Sequence, residues 1–460
     1  MNWETLLNAS RLGPVALTAT TTDARSVFDS DVDRIIFSGC FRRLARKTQV
    51  HPFAPNDHVH TRLTHSLEVS EVGRALGKAL AKQIEKDLPK HISRYDMGAI
   101  VQAACLAHDL GNPPFGHAGE SAIAHWFEST GAHFLRDLTK TVKGDVASFD
   151  GNAQGFRILT QTQNHLFDGG LRLTYATLGA FLKYPWSSRA SANGDNFGAF
   201  LTEERILEQV AKNTGLVYKK KGHWCRHPLA FLAEAADDIC YAIIDLEDGV
   251  ELNILTFNRV ADLLLSAFDS KTKNAITGSF ASPESFRVNL ARLRSPVFDM
   301  LVDAAIEGFM KGYERIMAGT FEGDLFDLLD ASDARRSMVT EAKKLASETV
   351  YVDQKKVEIE IGCFATLECL LSAFCEAAID CAQHLNSPEG EVAISWRSKL
   401  VLRMLGDHAP SESNAPSGQR WSKHLCLRRI LDYVSGMTDN YASYVAKQLQ
   451  GMGFAGIQRP

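Results

Sequence analysis

The sequence predicts an all-α protein, and three observations carry that prediction. Apolar residues recur at three- and four-residue steps in segment after segment, which is the spacing of one helix face. Paired runs of alternating apolar and polar residues are lacking, leaving room only for short hairpins in linkers. The composition, 45% hydrophobic and 23% charged with a mean hydropathy of -0.13, is that of an ordinary soluble chain and excludes collagen, disorder and a disulfide scaffold. At 460 residues a large core can be buried, and length alone suggests two or three domains. No internal repeat and no linker long enough to part the chain is found. One helical domain decorated with inserts is the simplest architecture.

The elements follow in order. After Thr64, Leu67, Val69, Val72, Leu76 and Leu80 mark one helix face. Met97, Ile100, Val101, Ala104 and Cys105 mark a second, which continues to His108. A third helix is expected to start near Pro228, a residue suited to a first helical turn, and to run through LAFLAEAADDICYAIIDLEDG. Apolar segments at 259–268, 298–317, 357–382 and 423–434 also read as helices. Loops are expected at GNPPFGH (111–117), WSSRASANGDN (186–196) and HAPSESNAPSGQ (408–419), the last being the best candidate for a mobile surface segment.

Charge and cysteine usage bound the setting. The start, MNWETLLNASRLGP, has no basic stretch followed by an apolar run, so no signal peptide is expected. The most apolar long stretch, 364–382, carries Glu368, Glu376 and Asp380 and reads as a buried helix, not a membrane span. Nine cysteines without a CxxC pair point to free, mostly buried thiols and a reducing cytoplasm. Cys363, Cys369, Cys375 and Cys381 fall six residues apart, a step of about 240° on a helix, so they do not form a ligand cluster. A net charge of -5 means that any polyanion must be met by local basic patches. Lys219-Lys220-Lys221 reads as solvated surface, while Arg42, Arg43, Arg46 and Lys47 form the other candidate.

The chemistry-bearing residues start with His108-Asp109. A lone His-Asp pair on a buried stripe is more often a core histidine satisfied by its neighbour. Here the helix ends at once in Gly111 and Pro113-Pro114, and His117 follows with Glu120 one turn beyond. His65 stands near the start of the Leu67–Leu80 helix. Asp237, Tyr241 and Asp245, four residues apart, share one helix face of roughly 80°. Two histidines and two aspartates from three helices make a mixed nitrogen and oxygen set that suits Mn, Fe, Ni, Co or Zn better than Ca, with Mg admissible if waters fill the remaining positions.

That pattern, a histidine, a His-Asp pair and an aspartate spread over helices, resembles the HD phosphohydrolase superfamily. Six ordered blocks narrow the resemblance: 29–50, TRLTHSLEVSEVGRALG (61–77), CLAHDLGNPPFGHAGE (105–120), FDGNAQGFRILT (149–160), HPLAFLAEAADDICYAIIDLEDG (227–249) and DYVSGMTDNYA (432–442) resemble the bacterial dGTP triphosphohydrolases. A lone HD is weak; six blocks in family order across nearly the whole chain are specific. The resemblance implies an HD-domain helical bundle with helical inserts, an HD core at about 60–250 and a helical C-terminal part at about 251–460 within a single domain. It implies metal ligation by His65, His108, Asp109 and Asp237, the last preferred over Asp238 because it stands four before Tyr241. His117 matches the catalytic histidine, as acid or base, with Glu120 orienting it. Gln49, Tyr241 and Asp245 match positions around the deoxyribose, and Arg62, Lys183 and Tyr184 match phosphate contacts. Arg43 is expected near the nucleotide, and Arg46 and Lys47 only at the surface.

The implied reaction is metal-dependent hydrolysis of dNTPs, dGTP foremost, to deoxynucleoside and tripolyphosphate, with Mn or Mg the first expectation for the metal. Implied partners are the dNTP, further copies of the chain (a hexamer among the assemblies), and a dNTP effector or single-stranded DNA, with no membrane. The competing readings are a 5′-nucleotidase, a cyclic-nucleotide phosphodiesterase, or a regulatory nucleic-acid-binding HD protein.

Overall fold

The three helices expected to carry the metal ligands form with capped ends. The computed structural model describes residues 1–13, 25–162, 169–191, 195–282, 285–388, 391–415 and 420–453. Of the loops expected at 186–196 and 408–419, residues 192–194 and 416–419 lie outside the described residues. The Arg62–Gln83 helix opens on a capping box in which Thr61 and Thr64 exchange side-chain and backbone hydrogen bonds. Arg94–Ala107 opens on a second, made by Ser93 and Asp96. Pro228–Glu251 starts with its proline in the first turn. Its cap is His227, whose pKa burial pushes down to about 4. The neutral ring accepts from the Leu229 backbone N–H at Nδ1, and its Nε2 donates to the Leu6 carbonyl at 3.1 Å.

The fold is all-α. The strands among the described residues are the short antiparallel pair Tyr218–Lys220 and His223–Trp224, a linker hairpin that leaves Lys219, Lys220 and Lys221 exposed. The later apolar segments form the helices Phe257–Leu264, Phe286–Met317, Gln354–Asn386 and Lys423–Ser435. The first stops short of the expected 268, its last residues forming a 3-10 turn at Leu265–Ala267, while the second and third begin before the stretch their apolar residues mark. Leu67 departs from expectation: it is 41% exposed, whereas Val69, Val72, Leu76 and Leu80 are buried. Position 67 falls two short of Val69, about 200° around the helix, and so faces solvent.

Two large apolar clusters form the core. One unites the Arg62–Gln83, Arg94–Ala107, Pro228–Glu251 and Phe286–Met317 helices. The other unites Gly116–Glu128, Gln354–Asn386, Lys423–Ser435 and Asp439–Leu449. Gln354–Asn386 is long and apolar enough to cross a membrane by length and composition alone, but half of its most apolar window is buried inside the protein. That burial is what a core helix requires.

The helices bearing His65 and Asp237 are also tied by charge. His60, just before the first of them, places Nδ1 2.7 Å from Asp248 and Nε2 3.1 Å from Glu68. Burial alone would lower its pKa, but the hydrogen bonds to Asp248 and Glu68 prevail and raise it to about 10. His60 is therefore charged when folded, and its stabilisation is complete below about pH 6.5, the unfolded value, and lost as pH rises through about 10. His60→Ala takes from Asp248 and Glu68 the cation they share, with Arg294 still 4.0 Å from Glu68. It is expected to cost toward the lower end of about 3–5 kcal/mol in chemical denaturation at pH 7, with the difference from wild type shrinking above pH 10.

Candidate active site

The Arg94–Ala107 helix stops at His108, its C-cap residue, so the His-Asp pair is presented at a helix end. His108 Nδ1 donates to the Cys105 carbonyl at 2.6 Å, which in the neutral ring puts the lone pair on Nε2. Asp109 Oδ1 accepts from Arg62 Nη1 at 2.7 Å and from the Asn112 side-chain amide. Asp237 Oδ1 lies 3.0 Å from His65 Nε2 and 3.6 Å from His108 Nε2. The His65 and His108 rings meet edge-on with centroids 5.3 Å apart. Donor atoms of His65, His108 and Asp109 all fall within 4.8 Å of one another, and Asp237 closes the group from the facing helix.

This arrangement fits a divalent cation. His108 Nε2 and Asp109 Oδ2 are buried, find no hydrogen-bond partner among the described residues, and stand 3.6 Å apart. Leaving such atoms unmet is costly unless a cation takes their lone pairs. Imidazole nitrogens with carboxylate oxygens are a transition-metal donor set with Mn or Mg within range. Electrostatics agree. Burial works against the Asp109 charge, but Arg62, His108 and His65 hold the carboxyl well below the usual range. Asp237 is likewise kept ionised against burial by His108 and His65.

The turn after the pair is built by close backbone approach. A Cβ on Gly111 would stand 2.0 Å from the Gly151 carbonyl and 2.1 Å from the Gly155 nitrogen, both backbone atoms that cannot swing aside. Gly111→Ala is expected to cost about 1–3 kcal/mol or more through overpacking, read as a lowered thermal midpoint together with lost metal binding. Gly116, at φ +58°, faces Arg62, whose guanidinium a Cβ would meet at 2.5 Å. A side chain there would displace the group that holds Asp109.

A cavity of about 540 Å³ opens over this centre, lined by Gln49, Arg62, His108, Asp109, His117, Lys183, Tyr184, Asp237 and Tyr241 among others. His65 is fully buried beneath it. His117 stands at the mouth with its side chain 84% exposed, its Nδ1 2.8 Å from Glu120. The hydrogen bond to Glu120 raises the His117 pKa against the effect of desolvation. The other Glu120 oxygen accepts from the Gly151 N–H at 2.7 Å, fixing the carboxylate from behind. Gln49 Nε2 donates to the Tyr241 hydroxyl at 3.4 Å, and the Tyr241 ring lies 5.2 Å from that of His65. Lys183 pairs with Glu234 at 3.1 Å and lies over the Tyr184 ring.

Three expectations are corrected. Asp245 does not line the cavity: it is fully buried, one turn deeper than Tyr241, and the Tyr351 hydroxyl, which does line the cavity, donates to it. Burial raises the Asp245 pKa to about 8. Lys47 is no surface charge. It is 3% exposed and donates to the Asn112 and Ser435 carbonyls, and burial lowers its pKa to about 7. Arg43 is exposed and is not among the cavity-lining residues, whereas Arg46 is exposed as expected.

The structure also separates the adjacent aspartates. Asp237 faces the histidines, while Asp238 pairs with Lys343 at 2.7 Å and burial raises its pKa to about 6. Sequence reasoning missed Lys343, Tyr351, Lys356 and Glu360, all of which line the cavity. They come from a segment, ASETVYVDQKK and its flanks, that carries no spacing signal of its own. Only its mix of an aromatic residue and cations close before a long apolar helix hints at a site.

Comparison with known proteins adds the family context. The HD domain family model matches residues 62–148. A deoxyguanosinetriphosphate triphosphohydrolase-like protein of Pseudomonas aeruginosa (strain LESB58) is 43% identical over 98% of this chain and 99% of its own. Like-named proteins of Synechocystis sp. and Listeria monocytogenes are 38% and 34% identical over 98% of this chain and 100% of theirs. The six sequence blocks that carried the resemblance thus lie within alignments that span nearly the whole chain.

Proposed function

This chain belongs to the deoxyguanosinetriphosphate triphosphohydrolase-like family of HD-domain proteins, and from that premise we propose that it is a metal-dependent hydrolase that converts dNTPs, dGTP preferred, to deoxynucleoside and tripolyphosphate. One observation carries the reading: a single cavity is lined by His108, Asp109 and Asp237 of the candidate ligand set, by His117, whose ring Glu120 holds, and by the cations of Arg62, Lys183, Lys343 and Lys356. A dNTP brings about four negative charges near neutral pH, which such a wall can offset. Preference for dGTP is supported by the names of the relatives alone.

In the reaction, the bond between the α-phosphorus and the 5′-oxygen breaks, water supplies the oxygen that joins phosphorus, and the 5′-oxygen takes up a proton. His65, His108, Asp109 and Asp237 would hold the metal, Mn or Mg being the first expectation, whose chemistry is to polarise a phosphate oxygen and acidify bound water. Arg62 holds Asp109 and faces the phosphates, with Lys183 and Tyr184 further along the same wall. His117 is placed to give the proton to the leaving oxygen, because Glu120 keeps that proton on the ring to higher pH. Tyr241 beside Gln49 forms the sugar platform and leaves little room for a 2′-hydroxyl. Asp245 acts on this edge through Tyr351.

The same reading puts the protein in the cytoplasm as a homo-oligomer, a hexamer among the assemblies, answering to dNTPs or single-stranded DNA. Exposed Val357, Ile361 and Phe364, along one face of Gln354–Asn386, support a contact between copies. The test offers each dNTP and rNTP separately to the metal-loaded protein, with and without the others, and identifies the products. Deoxynucleoside from dNTPs with little turnover of rNTPs is expected. Orthophosphate or a linear nucleotide as product would instead favour a nucleotidase or phosphodiesterase.

A further inference from the structure

Two walls of the cavity are held from outside the HD core. Thr48 and Gln49 form one wall, and Asn112, Phe115, Gly116 and His117 form the other. Both are tied to the corner where the Lys423–Ser435 helix gives way to Asp439–Leu449. Asp439, 3% exposed, spends both carboxylate oxygens on these walls: Oδ2 accepts from the Thr48 N–H at 2.9 Å and Oδ1 from the Phe115 N–H at 3.0 Å. An acidic residue in a first helical turn usually serves its own helix. Here Thr438 performs that task, accepting from the Tyr441 N–H. Lys47 forms the second strut, its ammonium shared between the Ser435 carbonyl of the corner and the Asn112 carbonyl of the turn. Its own carbonyl accepts from the Arg62 N–H at 3.0 Å.

Phe115 shows why such a strut matters. Its backbone lies in the left-handed region, at φ +66°, a conformation that bulky residues seldom adopt unless their surroundings impose it. The bond from its N–H to Asp439 fixes that geometry two residues before His117.

We propose that Asp439 and Lys47 are positioning residues that clamp the Gln49 wall and the His117 turn onto one C-terminal corner, so that the C-terminal helices set the catalytic geometry. They touch no reacting atom. The inference rests on the function proposed above only in treating these walls as the substrate cavity.

The test compares wild type with Asp439→Asn and Lys47→Met, reading kcat, KM, metal content and backbone hydrogen exchange. A misplacement of about 1 Å can cost on the order of 10²-fold in rate. Each variant is therefore expected to lose about 10- to 10²-fold in kcat while binding metal as wild type does. Exchange should quicken at 47–49 and 112–117 but not in Arg62–Gln83 or Pro228–Glu251. The paired variant should lose less than the product of the single losses, because both struts hold the same turn. Wild-type kcat in folded protein overturns the proposal. So does faster exchange spread through the whole C-terminal cluster, or failure of both variants to fold, since each would mark a merely structural role. If the wild type turned over no dNTP, the proposed function would fail, and the exchange pattern would still decide the clamp.

Discussion

Asp237→Asn is expected to abolish stoichiometric metal binding and to lower turnover of dNTP by about 10³-fold or more. Loss of a group that merely orients a ligand costs about 10- to 100-fold in metal affinity, and Asp237 is a candidate ligand itself. Lewis-acid stabilisation of roughly 4 kcal/mol corresponds to about three decades in rate at about 1.4 kcal/mol per decade. The substitution keeps the shape of the side chain, so the chain should fold and melt within a few degrees of wild type in chelator. Asp238→Asn is the internal comparison. Asp238 faces Lys343, not the histidines, so its metal content should stay at one ion per chain while KM changes through the released lysine. Elemental analysis of both variants checks the assignment, and metal lost from Asp238→Asn but kept in Asp237→Asn would reverse it.

His117→Ala should bind metal and substrate yet lose about 10²–10⁴-fold in kcat, the range for removing a positioned proton donor. The side chain is exposed at the cavity mouth and holds no core together, so stability should hardly move. Its partner gives the prediction a sign. Glu120 raises the His117 pKa above its ordinary value, and a proton donor loses activity as pH rises through its pKa. Glu120→Gln removes that support and should move the alkaline limb of the kcat profile to lower pH. An unmoved alkaline limb would contradict the donor role, and a shift of the acid limb instead would mean that His117 works as a base.

The parts legible in the sequence were those with local periodicity or a local motif. The three helices that carry the candidate ligands are marked by apolar steps and, for the third, by Pro228 in its first turn, and their packing brings His65, His108, Asp109 and Asp237 together. Asp237 was preferred over Asp238 from its spacing to Tyr241, and the two side chains do face different partners. What stayed hidden depends on long-range packing. Lys47 reads as one charge in a basic run, yet its partner Ser435 lies 388 residues away. Asp245 shares a helix face with Tyr241, but periodicity gives no depth, and the residue covering it, Tyr351, comes from another segment. Leu67 shows the same limit, an apolar residue near a stripe but off its face.

The most direct test of the central claim is phosphorus NMR of a dGTP reaction, run on protein stripped by chelator and on the same protein after metal is restored. No turnover is expected in the stripped sample, and in the restored sample a tripolyphosphate signal should grow in step with deoxyguanosine. Unchanged turnover after stripping, or pyrophosphate or orthophosphate as the first product, would contradict the claim.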